Sequence, residues 1–195
     1  MDYNGAEQYI IDRLGKELPE NLYYHDVEHT LDVLEAVEKY AAMEHVRKAD
    51  LILLKTAALF HDSGFLIKYS SNEVASVQII CRVLPGFGYT LQQIERISKM
   101  ILTTEIPQKP KNILEKILCD ADLDYLGRDD FYIIAIRLFR EWNENGISVT
   151  LKEWYIQQLF FLQQHEYFTK SAIKLRSEKK KEYVAQIKEL LGDSI

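Results

Sequence analysis

The sequence predicts an all-α protein of about nine helices, folded as one compact domain over residues 1–195. Three observations carry this reading. Apolar residues recur every third or fourth position along most of the chain. Alternation of the strand type is absent. The four prolines and eight glycines mostly fall between periodic segments rather than inside them. A chain of 195 residues can withdraw roughly 70% of its unfolded surface from water, so a helical core of this size needs no disulfide support.

Taken in order, Asp26 to Glu44 repeats apolar residues at Val27, Leu31, Leu34, Val37 and Ala41, one face of a helix. Arg47 to Phe60 is apolar nearly all round, as a buried helix should be. Asn72 to Leu84 is helical and stops at Pro85-Gly86. Thr90 and Gln93 form a capping-box pattern, in which hydroxyl and amide satisfy each other's end of the first turn, and open a helix ending near Thr103. Pro107 and Pro110 then impose a loop. Helix resumes from Asn112 to Cys119. It resumes again from Asp130 to Asn143, with Phe131, Ile134, Leu138 and Trp142 on one face and Asp129 and Asp130 opening it. Thr150 and Glu153 repeat the capping box and open a helix ending near His165. The last helix, Thr169 to Leu191, carries Ile173, Val184, Ile187 and Leu191 as its stripe.

Composition excludes several classes of function. The net charge of -6 makes the chain a poor partner for nucleic acid or an anionic membrane, because it has little phosphate neutralisation to offer. Its longest apolar run, LILLKTAALF, is broken by Lys55 and is far short of the about 20 residues a membrane helix needs. The acidic first residues do not read as a signal peptide, and Cys81 and Cys119 form no CxxC pair. Both are expected to be buried, reduced thiols in a cytoplasmic protein.

Chemistry concentrates in a few polar residues set against apolar helices. His25 and His29 lie four apart at a helix start and can share a face. The pair His61-Asp62 closes the buried helix, an expensive place for polar groups unless something pairs with them. Asp120, Asp122 and Asp124 alternate after another apolar stretch and cannot all point one way. Imidazole with carboxylate suits a first-row divalent metal, and two of each leave open positions for water and substrate.

These elements, His29 in YYHDVEHT, His61-Asp62 in LFHDSGF and Asp122 in DADLDYLG, resemble the H…HD…D signature of the HD-domain metal-dependent phosphohydrolases, in particular their small bacterial members. The resemblance covers most of residues 20–130, with residues 131–195 expected to pack on that core. It implies an all-α fold and hydrolysis of a small phosphate ester, mono- or diester, with a nucleotide the expected substrate. It casts His29, His61, Asp62 and Asp122 as ligands of one divalent ion (Mn, Fe, Ni, Co, Zn or Mg). Asp62 also belongs to the catalytic group, with His25 as the acid that protonates the leaving oxygen and Glu73 as a base or supporting acceptor. Relatives with two metals use further histidines where this chain has Asn72 and Thr103-Thr104, which favours a mononuclear site. Asp120 and Asp124 read as caps or supporting acceptors. His45, His165 and Lys179-Lys180-Lys181 read as solvated or capping groups, and the tyrosines, Trp142 and Trp154 as core. Lys68 and Arg128 stand near the motifs as cations for a phosphate. The alternative function is a metal-containing regulatory or ligand-sensing module without turnover.

Overall fold

The computed structural model describes residues 1–192, so the last three residues of the expected domain lie outside the described residues. Nine α-helices and no strand occur among them: α1 (Tyr3–Glu17), α2 (Val27–Met43), α3 (Lys48–Phe60), α4 (Asn72–Val83), α5 (Leu91–Leu102), α6 (Ile113–Asp122), α7 (Phe131–Glu144), α8 (Leu151–Gln164) and α9 (Lys170–Leu191). None of the described helices is long and apolar enough to cross a membrane.

Caps set most of the boundaries. Both capping boxes form, Thr90 with Gln93 before α5 and Thr150 with Glu153 before α8. Asp26 caps α2, accepting from the His29 N–H, and Asn112 caps α6, accepting from the N–H groups of Leu114 and Glu115. Asp130 does not cap α7: it sits at the N-cap position without a capping bond, its carboxylate drawn instead onto Arg128, while Asp129 meets Lys179 at 3.2 Å. The sequence reading did not single out α1, because its inner face is only Ala6, Ile10 and Leu14.

The buried apolar residues gather in two clusters rather than around one centre. The first joins α1 to α6, with Ile10, Val37, Leu54, Ile80, Ile97 and Ile117 in its interior. The second lies under α7, α8 and α9 and holds Leu126, Phe131, Trp154, Leu162 and Ile187. Helix α9 ties them together: Ala172 near its start belongs to the first cluster, and Tyr183, Ile187 and Leu191 to the second. Its 22 residues span about 33 Å, enough to reach across both.

Several expected core positions point outward. Leu31 and Ile173 are exposed, whereas Val33 and Tyr40 fill the inner face of α2 beside Val37. The reason in α2 is that His29 occupies the core-facing position of the first turn, which rotates Leu31 to the solvent side. Cys81 is exposed and Cys119 buried, both as free thiols.

Asp120 fastens the start of α9. It is wholly buried and accepts from the N–H groups of Phe168 and Thr169, both at 2.8 Å, and from the Thr169 hydroxyl at 2.6 Å. Asp120→Ala would leave these donors unpaired in the interior, and we expect a loss of about 2–4 kcal/mol. A denaturant midpoint equal to that of the parent would refute this role.

Candidate metal centre and cleft

Four chain segments bring the signature residues together. The Asp26 carboxylate accepts from the His29 N–H at 2.9 Å, setting His29 in the first turn of α2. His61 ends α3, and its Nδ1 lies 2.7 Å from the Ala58 carbonyl, which as N–H donor leaves Nε2 with a free lone pair. Ser76 of α4 donates to the His61 carbonyl and accepts from the Gly64 N–H, both at 2.7 Å, so α4 braces the turn after the His-Asp pair. That turn needs glycine: a Cβ on Gly64 would fall 1.8 Å from the Asn72 carbonyl oxygen. Asn72 in turn donates to Asp62 Oδ1 at 2.9 Å, which leaves Oδ2 facing the histidines. Asp122 enters from the end of α6.

The alternating acids diverge, as their spacing requires. Asp120 goes to α9, Asp122 to the site, and Asp124 to Arg176 (2.7 Å and 2.8 Å) and the Tyr40 hydroxyl.

At the centre, His29 Nε2 lies 3.3 Å from His61 Nε2, 3.4 Å from Asp62 Oδ2 and 3.4 Å from Asp122 Oδ1. His61 Nε2 lies 3.1 Å from Asp62 and 3.5 Å from Asp122. Donor atoms about 2.1 Å from a common ion stand about 3.0 Å apart at right angles and about 3.4 Å apart at tetrahedral angles. The observed separations match that range, and His29, His61 and Asp122 form a group that could hold a metal ion.

The electrostatics agree with a tightly coupled set. Burial alone would lower the imidazoles of His29 and His61, but Asp62 and Asp122 outweigh it and hold both above the ordinary histidine value. Burial would likewise raise the two carboxyls, yet the histidines keep Asp62 and Asp122 below the usual carboxylate range.

His25 stands beside this centre without joining it. Its ring stacks on Phe65 with centroids 4.1 Å apart and lies 6.0 Å from the His29 ring. Its Nδ1 is bound to Glu141, a fully buried carboxylate on α7. Glu141 also accepts from the N–H groups of Tyr24 (2.8 Å) and His25 (3.0 Å) and from the Tyr69 hydroxyl (3.1 Å). Burial pushes the Glu141 carboxyl up, but His25 and the two backbone donors outweigh it and hold it below its ordinary value.

Sequence reasoning missed Glu141, although a signal was present. It follows Ile134 and Leu138 at helical spacing, so a carboxylate sits on the apolar stripe of α7.

Above the centre opens a cleft of about 700 Å³. His25, Asp62, Glu73 and Asp122 line one side, and Trp142, Phe160 and Phe161 of α7 and α8 line the other. Trp142 is therefore half in the core and half in the cleft wall. Glu73 is half-buried; burial, with Asp62, Glu105 and Asp122 nearby, raises its carboxyl above the ordinary value. Neither sequence-proposed cation reaches the cleft. Lys68 is exposed and away from it. Arg128 pairs with Asp32 and Asp130, and with Arg137 it lines a second, small void of about 20 Å³ that His29 and Asp122 also border, room for about one water.

His45 is exposed, as expected, with a left-handed φ of 56°. His165 ends α8, and burial with Lys180 nearby lowers its imidazole to about 3. Lys180 is half-buried and donates to the His165 carbonyl, so the lysine run is not wholly a solvated face.

Comparison with known proteins bears on the fold and the family. In overall fold the chain is similar to Bacillus subtilis YpgQ, whose crystal structure is in complex with ADP; the TM-score is 0.65 at 18% identity, covering 98% of each chain. No curated protein sequence matches. The HD-domain family matches residues 26–124, from the cap of α2 to just past Asp122. That stretch is more than half of the 195 residues and contains His29, His61, Asp62 and Asp122 in order, so the chain belongs to the HD-domain family.

Proposed function

We propose that this protein is a metal-dependent phosphohydrolase acting on a nucleotide or another small phosphate ester. The observation that carries the reading is the convergence of donor atoms of His29, His61 and Asp122 at 3.3–3.5 Å, with Asp62 Oδ2 3.4 Å and 3.1 Å from the two histidines, beside a solvent-open cleft that Asp62 and Asp122 line. His29, His61, Asp62 and Asp122 would hold one divalent ion. Such an ion supplies a Lewis acid and an activated water. The chain's own residues do the rest. Asn72 orients Asp62 by holding Oδ1. Glu141 takes the Nδ1 proton of His25 in a hydrogen bond and so turns Nε2 to the cleft, where it can deliver a proton to the leaving oxygen. Glu73, half-buried beside Asp62, serves as an acceptor for the proton shed by the attacking water. Residues 1–195 are read as a single HD-type domain, with α7 and α8 closing the cleft that the matched segment opens.

The direct test is phosphate or alcohol release from a panel of phosphate esters by the manganese-loaded chain, with and without chelator. No release from any ester by a chain shown to hold its metal would favour the ligand-sensing alternative. Elemental analysis is expected to find about one ion per chain, because His29, His61 and Asp122, with Asp62 beside the histidines, form one group able to hold an ion among the described residues and His45 and His165 lie elsewhere. Two tightly held ions would overturn this count.

Acid should strip the metal. His29 and His61 must be neutral to bind, and Asp62 and Asp122 hold protons on them in the metal-free chain. Below those raised values apparent affinity should fall about tenfold per pH unit for one competing proton and about 100-fold for two. Metal-free protein should behave oppositely. The raised histidines stabilise it fully below about pH 6.5, and this contribution fades as pH rises through their raised values. Retained metal and metal-free melting temperature, each measured from pH 5 to 9, should trend in opposite directions.

A further inference from the structure

We infer that the cleft selects a phosphate ester with a single phosphoryl group and an apolar or aromatic body, and that it discriminates against nucleoside di- and triphosphates. The inference rests on the phosphohydrolase reading only in taking the ligand to be a phosphate ester; its substance is the composition of the walls.

Charge is the first argument. No lysine or arginine lines the cleft among the described residues, whereas Asp62, Glu73 and Asp122 do. The two positive charges of a divalent ion are matched by Asp62 and Asp122, and Glu73 leaves the surroundings neutral to negative. Arg128 and Arg137 border His29 and Asp122 only across the small void of about 20 Å³, outside the cleft, and both are paired with acids there: Arg128 with Asp32 and Asp130, Arg137 with Asp26 and Glu28. Each phosphoryl group beyond the first adds negative charge for which these walls hold no lysine or arginine, the His25 proton being committed to the leaving oxygen, and like charges brought together in a partly dry cleft repel. A single phosphoryl group at the floor avoids this.

The opposite wall is the second argument. Trp142, Ile156, Phe160 and Phe161 face the cleft, and Phe160 is 62% exposed. An exposed phenylalanine that faces a cleft gains by being covered, and a flat apolar group on the ester would cover it. On the same wall Gln158 is buried with its amide oxygen unpaired among the described residues, a cost not expected of a wall built only to pack. These residues lie on α7 and α8, outside the segment matched to the family, so the substrate preference is written in a part of the chain separate from the metal ligands.

The test is binding, followed by turnover. The manganese-loaded full chain is titrated with phenyl phosphate, diphenyl phosphate, ADP and ATP by calorimetry, and metal content is rechecked after each titration. We expect the aryl esters to bind at least about 10-fold more tightly than ADP or ATP. Phe160→Ala, at an exposed position, should weaken diphenyl phosphate about 5–20-fold and leave inorganic phosphate nearly unchanged. Gln164→Lys, which puts a cation at the rim, should strengthen ADP several-fold. Tighter binding of ADP or ATP by the parent would overturn the inference, as would aryl ester binding that Phe160→Ala leaves unaltered or no aryl ester binding at all. Hydrolysis measured on the same ligands separates the two proposals. Preferred binding of aryl esters without hydrolysis of any ester would leave this inference standing and sink the phosphohydrolase. Preferred binding and hydrolysis of ADP would do the reverse.

Discussion

His61→Ala is expected to give a folded, helical protein that no longer retains a divalent ion and has lost essentially all phosphoester hydrolysis. His61 Nε2 lies 3.3 Å from His29 Nε2, 3.1 Å from Asp62 and 3.5 Å from Asp122, and the Nδ1 bond to the Ala58 carbonyl aims it at the centre. It sits at the end of α3 rather than within the helix, so the packing of Leu53, Leu54 and Ala57 survives its removal. Removing a partner that merely orients a ligand typically costs about 10–100-fold in metal affinity or activity. Loss of a ligand itself should exceed that range, and Asn72→Ala, which frees Asp62 Oδ1, should fall within it. Elemental analysis, circular dichroism and turnover on the same preparations check the ordering. Metal retained by His61→Ala at the parent level would remove His61 from the ligand set.

The second large effect is expected at His25. A positioned general acid contributes about 10²–10⁴-fold, and it does so most for a poor leaving group that must be protonated as it departs. His25→Ala should therefore keep its metal, lose most turnover of an alkyl phosphate ester, and lose much less with a nitrophenyl ester. Glu141 acts through His25 and is a positioning residue. Glu141→Gln keeps the side-chain volume and the acceptor for the Tyr24 and His25 N–H groups, so the fold should persist. It removes the charge that fastens Nδ1, and should reproduce the leaving-group dependence of His25→Ala in weaker form. Equal losses on both esters, in either variant, would mean that His25 carries no proton to the leaving group.

The local chemistry of this chain is legible without its fold. Thr90 with Gln93, Thr150 with Glu153, and the stops at Pro85-Gly86 and Pro107 act within one helical turn, so sequence spacing alone determines them. That His29, His61, Asp62 and Asp122 would meet was also legible, because His61-Asp62 at the end of an apolar helix is costly unless it is paired, and HD-type order pointed to His29 and Asp122. Only the tertiary structure decided which faces turn inward and what meets across the chain. Leu31 and Ile173 satisfy helical periodicity yet face solvent, because His29 and the paths of α2 and α9 claim the inner positions. Glu141 lies 116 residues from the histidine it holds, and the aromatic wall of the cleft comes from helices beyond the matched segment. Of the cations expected beside a phosphate, Arg128 is bound to Asp32 and Asp130 and Lys68 is exposed outside the cleft. Spacing encodes neighbours within three or four residues. Contacts between segments separated by a hundred residues depend on how two hydrophobic clusters pack, and that packing decides which side chains line the cleft.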